Sequence, residues 1–228
     1  MTSRERVLAA LEHRQPDRVP IDVGAMRSTG LTAIAYARLL QYLGMPGDIL
    51  VYDVIQQLAQ PSDAFLDWVG ADVVDLGRAF LTRPEDWTPW ELPDGTPAKL
   101  PAYIHLEPRP GGGWYYRHAD GTVLGEMPPG VYYLSQVHWP LIDVEEFDEA
   151  PLEEAMGKVT WAALPTAPWH LPRTPEGWAQ IRAVALDFYA RTDRAVMVGF
   201  GGNLLEWGQF LRRMDGFLTD LAGDPRRA

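Results

Sequence analysis

The sequence predicts an α/β protein, because short apolar runs alternate along the chain with longer segments of helical periodicity. Three runs have the composition of buried strands: Val19–Val23, Asp72–Leu76 and Ala195–Phe200. A segment with apolar residues spaced three and four apart follows each of them. Strands that are separated by helices pair in parallel and are covered by those helices. We therefore expect three strand–helix units within a single domain over residues 1–228.

The predicted helices begin at residues that cap helix N-termini. Thr2 and Glu5 have the spacing of a capping box, and Thr174-Pro175 places an N-cap before a proline at the first helical position. Glycine or proline follows most of the predicted C-termini. The predicted helices are Thr2–His13, Thr29–Leu43, a short helix from Asp53, Ser62–Val69, Thr174–Arg191, and a last helix that starts at Asn203, breaks near Gly216 and ends at Asp224.

A hairpin-rich insertion over residues 83–172 interrupts this alternation. Between Arg83 and Leu141, turn signals such as Pro93-Asp94-Gly95 separate short aromatic runs such as Trp114-Tyr115-Tyr116. Such a pattern predicts a meander of antiparallel hairpins. The segment Ile142–Pro172, which is acidic and punctuated by proline, is interpreted as a connector back to the α/β part.

Composition excludes several classes of function. The 228 residues carry a net charge of −11 without a cluster of lysine and arginine, which argues against nucleic acid and anionic membranes as partners. The chain has no cysteine, so it can form neither a disulfide nor a thiolate zinc site. Its five histidines lack ligand spacing. The N-terminus lacks the apolar core of a signal peptide, and no run approaches a membrane span. We expect a cytoplasmic location and no cofactor within this chain.

Four motifs follow one another along the chain: Met1–Leu11 followed by Pro16–Pro20, Met26-Arg27 with Gly30 and Tyr36, Gly130–Tyr133 leading to His138–Leu141, and Val198–Gly202 through Pro225. In combination and in this order they resemble the uroporphyrinogen decarboxylase and cobalamin-dependent methyltransferase superfamily. This resemblance implies a (β/α)8 TIM-barrel type of fold. The chain would contain about three units of it and the insertion, leaving the barrel incomplete.

The resemblance implies methyl transfer as the leading function. The decarboxylase's substrate loop carries a second arginine where this chain has Leu31, and a substrate with eight carboxylates would need more basic groups. The methyltransferase branch acts on a small anionic or methylated substrate, takes its methyl group from a corrinoid protein, and binds zinc through residues of later barrel strands. Two alternatives stay open: decarboxylation of a tetrapyrrole, and a non-catalytic half-barrel completed by a separate C-terminal half or by a homo-oligomer. The isolated chain is expected to be inactive.

Two residues are the main site candidates. Arg27 precedes a predicted helix N-terminus, and the resemblance implies that it binds an anionic substrate group; as an alternative it is a solvated loop arginine. Asp53 follows an apolar run, and its distance from Gln56 fits a helix N-cap. The resemblance implies that Asp53 has a catalytic role, which in the decarboxylase means hydrogen bonds to pyrrole N–H groups.

Four further residues are candidates for substrate binding. Asp22 ends the first predicted strand, where the active sites of such barrels lie, although a turn-forming aspartate is the commoner explanation. Gly201 and Gly202 follow the third strand and would let a ligand approach the backbone, or would form a tight turn. Glu206 has the spacing of a capping-box partner of Asn203, and would alternatively face substrate.

Overall fold

The computed structural model describes residues 1–145 and 152–225, which divide into two compact units. The first unit comprises Met1–Ile104 and Thr166–Gly199, and the second comprises His105–Pro165 and Phe200–Ala228. Residues 105–165 of the predicted insertion thus belong to the same unit as the segment from Phe200 onward, whereas residues 83–104 and 166–172 belong to the first unit. No helix in the described ranges is long and apolar enough to cross a membrane.

Helices and short strands alternate along the described chain. Three 3-10 helices cover Arg27–Thr29, Leu76–Phe80 and Pro84–Asp86. The α-helices are α1 (Ser3–Leu11), α2 (Ala33–Leu43), α3 (Asp63–Val69), α4 (Leu152–Gly157), α5 (Thr160–Ala163), α6 (Pro175–Arg191), α7 (Leu204–Arg212) and α8 (Met214–Gly223). The strands are β1 (Val51–Asp53), β2 (Leu58–Ala59), β3 (Val73–Asp75), β4 (Trp87–Glu91), β5 (Pro97–Pro101), β6 (Glu107–Pro108), β7 (Trp114–Arg117), β8 (Val123–Met127), β9 (Ser135–Gln136) and β10 (Ala195–Met197).

The strands form four small sheets, so the fold is mixed α/β. In the first unit β10 pairs in parallel with β3, with Ala195 opposite Val73 and Met197 opposite Asp75. The pairs β1–β2 and β4–β5 are antiparallel. In the second unit β6, β7, β8 and β9 form an antiparallel meander in sequence order. None of the sheets in the described part of the chain closes into a barrel.

The parallel pair confirms two of the three predicted strands, whereas the prediction of a strand at Val19–Val23 is wrong. The Asp72 N–H donates to the Ile21 carbonyl at 2.7 Å, and the Ile21 N–H donates to Asp72 Oδ2 at 2.9 Å. Asp72, the residue just before β3, therefore satisfies both backbone groups of Ile21. Pro20 has no N–H to extend a ladder, so the segment stays extended without becoming a strand.

Helix boundaries follow the predicted caps where those caps are local. Thr2 Oγ1 accepts from the Glu5 N–H and Glu5 accepts from the Thr2 N–H, which completes the predicted capping box of α1. Ser62 caps α3, and Gly70 ends it in the left-handed conformation. Helix α2 begins later than predicted, after Thr32, because Thr29 belongs to a 3-10 helix.

Two helix predictions are wrong in part. Residues 54–57 form a turn rather than a helix after Asp53, because Gln57 has a φ of 54° and leads into β2. The last helical segment breaks at Arg213, with a φ of 64°, and not at Gly216. A left-handed φ at a non-glycine residue interrupts the helical hydrogen-bond ladder at that point.

The hairpin prediction for residues 83–141 is confirmed by β4 to β9. Gly113 shows why one of its turns needs glycine: its φ is 81°, and a Cβ there would lie 2.1 Å from the Met127 carbonyl oxygen. Of the predicted connector 142–172, residues 146–151 lie outside the described residues, and α4 and α5 occupy part of the remainder.

Each unit has its own apolar core. In the first unit Leu66, Ala71 and Val74 are buried together, and Phe188 of α6 and Val196 of β10 pack against them. In the second unit Leu141, Ala155, Val159 and Leu211 form a buried cluster that joins α4 and α5 to α7. The apolar surface buried in these cores is the main source of their stability.

A buried ion network fixes the N-terminal end of β3. The Asp72 side chain is fully buried, and Arg6 Nη1 and Arg18 Nη1 donate to its two oxygens at 2.5 and 2.7 Å. Arg6 also donates through Nε to Asp17 Oδ1 at 2.6 Å. The network connects α1 and the segment after it to β3 through charge-assisted hydrogen bonds.

Candidate functional site

The two leading sequence candidates, Arg27 and Asp53, contact each other. Arg27 Nε lies 2.5 Å from Asp53 Oδ2. Asp53 is the last residue of β1 and its side chain is 1% exposed, whereas the Arg27 side chain is 35% exposed. A charge-assisted contact of this length orients the guanidinium. The buried carboxylate thus holds an arginine whose side chain is partly exposed.

The other oxygen of Asp53 organises the turn after β1. Asp53 Oδ1 accepts from the N–H groups of Ile55 and Gln56 at 2.9 and 3.0 Å. The predicted interaction with Gln56 is therefore present, although no helix follows it. Because both carboxylate oxygens have partners, Asp53 can serve as an anchor for Arg27 without further rearrangement.

A narrow cleft lies at the carboxyl end of β3 in the same unit. Its lining includes polar side chains from β1, β3 and the 3-10 helix after β3: Tyr52, Asp75 and Arg78. The Tyr52 Oη atom is buried and has no hydrogen-bond partner among the described residues. Arg78 Nη2 donates to Asp63 Oδ1 at 2.9 Å. The remaining walls are formed by backbone and apolar groups such as Val23, Gly24 and Pro61.

Asp75 has an unusual environment for a carboxyl group. Burial raises its pKa to about 7, and this effect exceeds the opposite effects of the Gly77 and Arg78 amides and of the Arg78 and Arg27 guanidinium groups. Around neutral pH a carboxyl group with this pKa is partly protonated and can donate a hydrogen bond.

Tyr52 is close enough to the candidate residues to respond to their charges. Burial raises the pKa of Tyr52, the negative charges of Asp53, Asp75 and Asp22 raise it further, and the Arg27 charge lowers it. The Tyr52 hydroxyl therefore keeps its proton throughout the physiological range. These electrostatic effects place Tyr52, Arg27, Asp53 and Asp75 in one neighbourhood at the ends of β1 and β3.

Asp22 has the partners of a turn-forming residue. Its Oδ1 accepts from the Ala25 N–H at 3.0 Å, and its Oδ2 accepts from Thr29 Oγ1 at 2.9 Å. Asp22 does not end a strand, since Val19–Val23 is not one. The contacts fit the alternative interpretation, in which Asp22 shapes the loop that carries Arg27.

Gly201, Gly202 and Glu206 belong to the second unit, so their position relative to Arg27 and Asp53 stays a prediction. Gly201 has a φ of 80° and open space around its Cα, and its carbonyl accepts from Trp207 Nε1 at 3.1 Å. Glu206 is exposed in the first turn of α7. The predicted capping box is not formed, because Asn203 makes no side-chain cap hydrogen bond.

Asp75 and Tyr52 are the site residues that sequence reasoning missed. The signal for Asp75 was present: it is the last polar residue of the predicted strand Asp72–Leu76, the same place that Asp22 has in the predicted strand Val19–Val23. The signal for Tyr52 was weaker, since an aromatic residue in an apolar strand is usually a core residue. Neither residue lies in a motif that distinguishes a role in the site from a role in the core.

Metal binding has no support in the described part of the chain, where no three His, Asp or Glu side chains are grouped closely enough to hold an ion. The resemblance had already assigned the zinc ligands to later barrel strands. Comparisons of the chain with protein-family models, with curated proteins and with solved structures find no match.

Proposed function

We propose that this chain supplies the substrate-binding part of a uroporphyrinogen decarboxylase-like, cytoplasmic enzyme of the corrinoid-dependent methyltransferase branch. Its barrel-type character is supported by the parallel pair β3–β10 and by α6, which precedes β10 and packs on the same core. Asp75 lies at the carboxyl end of a parallel strand, as active-site residues of barrel enzymes do, whereas Asp53 ends the antiparallel strand β1.

The observation that carries the proposal is the contact of Arg27 with Asp53. A buried carboxylate that holds a partly exposed guanidinium prepares it to bind one anionic group without a further ordering cost. Arg78 lines the cleft, the charge of Arg27 acts on Asp75 and Tyr52, and each of these arginines already contacts an aspartate. This charge balance suits a small substrate with one anionic group.

The same geometry favours methyl transfer over tetrapyrrole decarboxylation. Asp53 accepts hydrogen bonds on Oδ1 from two amides and contacts Arg27 through Oδ2. Pyrrole N–H donors would have to compete with these partners. Leu31 also leaves the loop without the second arginine that the decarboxylase uses.

The chain's own residues bind and orient the substrate in this proposal, and no chemical step is assigned to a metal. Methyl transfer requires a metal to lower the pKa of the acceptor group. The described residues do not provide such a site, so the proposal places it outside them, in a C-terminal half or another subunit. A corrinoid protein would deliver the methyl group.

The test uses the complex that is captured from native cells through a tag on this chain. Methylcobalamin demethylation by a thiol acceptor is followed by absorbance, with uroporphyrinogen as the competing substrate. Arg27→Ala is expected to lower kcat/KM about 5- to 150-fold, the equivalent of about 1–3 kcal/mol for a lost charge-assisted hydrogen bond. Arg27→Lys should recover part of the loss.

The control is Arg38→Ala, which removes an arginine whose side chain is 73% exposed. This variant should keep full activity. Turnover of uroporphyrinogen without demethylation of methylcobalamin would contradict the proposal and favour decarboxylation. A captured complex without either activity would favour the non-catalytic half-barrel, and its mass would show whether a second polypeptide or a second copy completes it.

A further inference from the structure

The backbone just after β10 contacts the loop that carries Arg27. Met26 directly precedes Arg27, and its Sδ lies 3.9 Å from the position that a Cβ of Gly199 would have. The Trp169 indole N–H donates to the carbonyl of the same glycine. All of these residues belong to the first unit. Met26, Gly199 and Trp169 therefore form one apolar surface that is continuous with the Arg27 loop.

Two contacts fix the orientation of the Trp169 ring on this surface. Its Nε1 is held by the Gly199 carbonyl, and the ring meets Trp178 of α6 edge to face, with centroids 6.1 Å apart. Trp169 is nevertheless partly exposed, and Met26 is 36% exposed. A ring that is already held in place loses little conformational freedom when a ligand packs on it. Trp169 is thus prepared to bind an apolar group.

Gly199 leaves open a space that a side chain would fill. Its φ lies outside the left-handed region, so the backbone does not require glycine at this position. Leaving aside its two chain neighbours, Met26 Sδ is the one heavy atom in the described part of the chain that lies within 4 Å of the Cβ position. A ligand atom in this space would contact the methionine sulfur, which interacts favourably with aromatic rings.

This surface lies at the same strand ends as the charges near Arg27. Gly199 is two residues beyond the end of β10, where Met197 pairs with Asp75, the last residue of β3. The charge of Arg27 acts on Asp75. A group attached to an anion at Arg27 would therefore have the surface of Met26, Gly199 and Trp169 within reach.

We propose that the ligand of Arg27 is an aromatic carboxylate, whose carboxylate contacts the guanidinium and whose ring packs over Gly199 against Met26 and Trp169. An indole ring and a methionine sulfur both favour an aromatic partner over an aliphatic one of the same size. The inference rests on the proposed anion-binding role of Arg27 and names the substrate class of that site. It does not require methyl transfer to occur.

The experiment titrates acetate, benzoate and cyclohexanecarboxylate into the 15N-labelled chain. The reporters are the Gly199 amide and the Trp169 indole N–H, which Trp169→Phe identifies. Benzoate should bind about tenfold more tightly than acetate, the gain expected when a ring buries on the order of 60 Å² of apolar surface. It should also bind about threefold more tightly than cyclohexanecarboxylate, which has a similar size but no aromatic ring.

Three variants and a control separate the two parts of the site. Gly199→Val fills the space beside Met26 and should lower the affinity for benzoate to that for acetate, without a change for acetate. Met26→Ala should weaken benzoate alone, by about threefold. Arg27→Ala should weaken both carboxylates by the same factor. Tyr42→Ala, which removes an aromatic side chain that is 86% exposed on α2, should change neither affinity. If Gly199→Val fails to fold, Met26→Ala still decides the matter.

Equal affinities of the wild type for benzoate and acetate would overturn the proposal, as would a benzoate preference that Met26→Ala leaves unchanged. Equal affinities for benzoate and cyclohexanecarboxylate would contradict an aromatic ligand. An unchanged affinity of Arg27→Ala for acetate would contradict the anion-binding role on which the proposal rests. Failure of the proposed methyl transfer would look different, because the preference for benzoate would persist while the captured complex left methylcobalamin unchanged.

Discussion

Asp72 and Asp75 stand three residues apart at the two ends of β3, and their environments are opposite. Asp72, at the N-terminal end, receives hydrogen bonds from Arg6 and Arg18 and from the Ile21 N–H. Burial acts to raise its pKa, but these hydrogen bonds together lower it below the ordinary value. Asp75, at the carboxyl end, lacks a comparable set of donors, and burial raises its pKa to about 7.

Burial alone therefore does not determine the charge of a carboxyl group. Asp72 and Asp75 differ in the number of hydrogen-bond donors that the surrounding chain provides. At the N-terminal end of β3, α1 and the following loop supply two guanidinium groups, and the result is a structural ion network. At the carboxyl end a cleft takes the place of such partners.

The largest expected effect comes from removing the charge of Asp72. Asp72→Asn leaves Arg6 and Arg18 close together without the carboxylate between them. Removing one partner of a buried ion pair costs about 3–5 kcal/mol, and we expect a loss of that size in the free energy of unfolding, measured by urea denaturation at pH 7. A loss below about 1 kcal/mol would show that the network is not a major source of stability.

The second effect is the pH dependence of stability that Asp75 causes. Its pKa is raised on folding, so its stabilising contribution is complete below about pH 4 and disappears as pH rises to about 7. The sign is opposite for Asp72, whose lowered pKa contributes stability that is lost only as pH falls below about 4.

Asp75→Asn isolates this effect. Between pH 4 and pH 8 the free energy of unfolding of the wild type should fall by about 2–4 kcal/mol relative to that of the variant. Urea denaturation at a series of pH values provides the measurement. Parallel pH profiles of the two proteins would contradict the assigned protonation of Asp75.

The smallest expected loss of stability comes from breaking an exposed ion pair, for comparison with the buried one at Asp72. Arg194 Nη2 contacts Asp67 Oδ1 at 2.5 Å, but the Asp67 side chain is 74% exposed. Solvent screens such a pair, so Asp67→Asn should lower the free energy of unfolding by less than about 1 kcal/mol. A loss as large as that of Asp72→Asn would mean that burial is not what distinguishes the two ion pairs.

Local signals in the sequence predicted the local structure well. Thr2 with Glu5 and Ser62 with Gly70 each lie within one helix, and the structure confirms both sets of caps. The two confirmed sets of caps share a cause: their interacting groups are close in sequence. The site roles of Arg27 and Asp53 stay predictions, although the two side chains contact each other.

The structural features that the sequence did not predict depend on contacts between residues that are distant in sequence. Val19–Val23 has the composition of a strand, yet Asp72, some fifty residues later, takes the hydrogen bonds of Ile21. The environment of Asp75 depends on the backbone at Ala167 as well as on the adjacent 3-10 helix. No periodicity or cap reports such contacts, so the sequence could indicate the end of β3 but not the protonation of its carboxyl group.

We infer that Asp72, just before β3, is an ionised structural carboxylate, whereas Asp75, at the carboxyl end of β3, is a carboxyl group that stays largely neutral below about pH 7. The most direct test is a pH titration of the aspartate side-chain carboxyl carbons by 13C NMR, with Asp72→Asn and Asp75→Asn used for assignment. The account predicts that the Asp75 signal titrates near pH 7 and that the Asp72 signal remains that of a carboxylate down to below pH 4. Titration of Asp75 near pH 4 would contradict it.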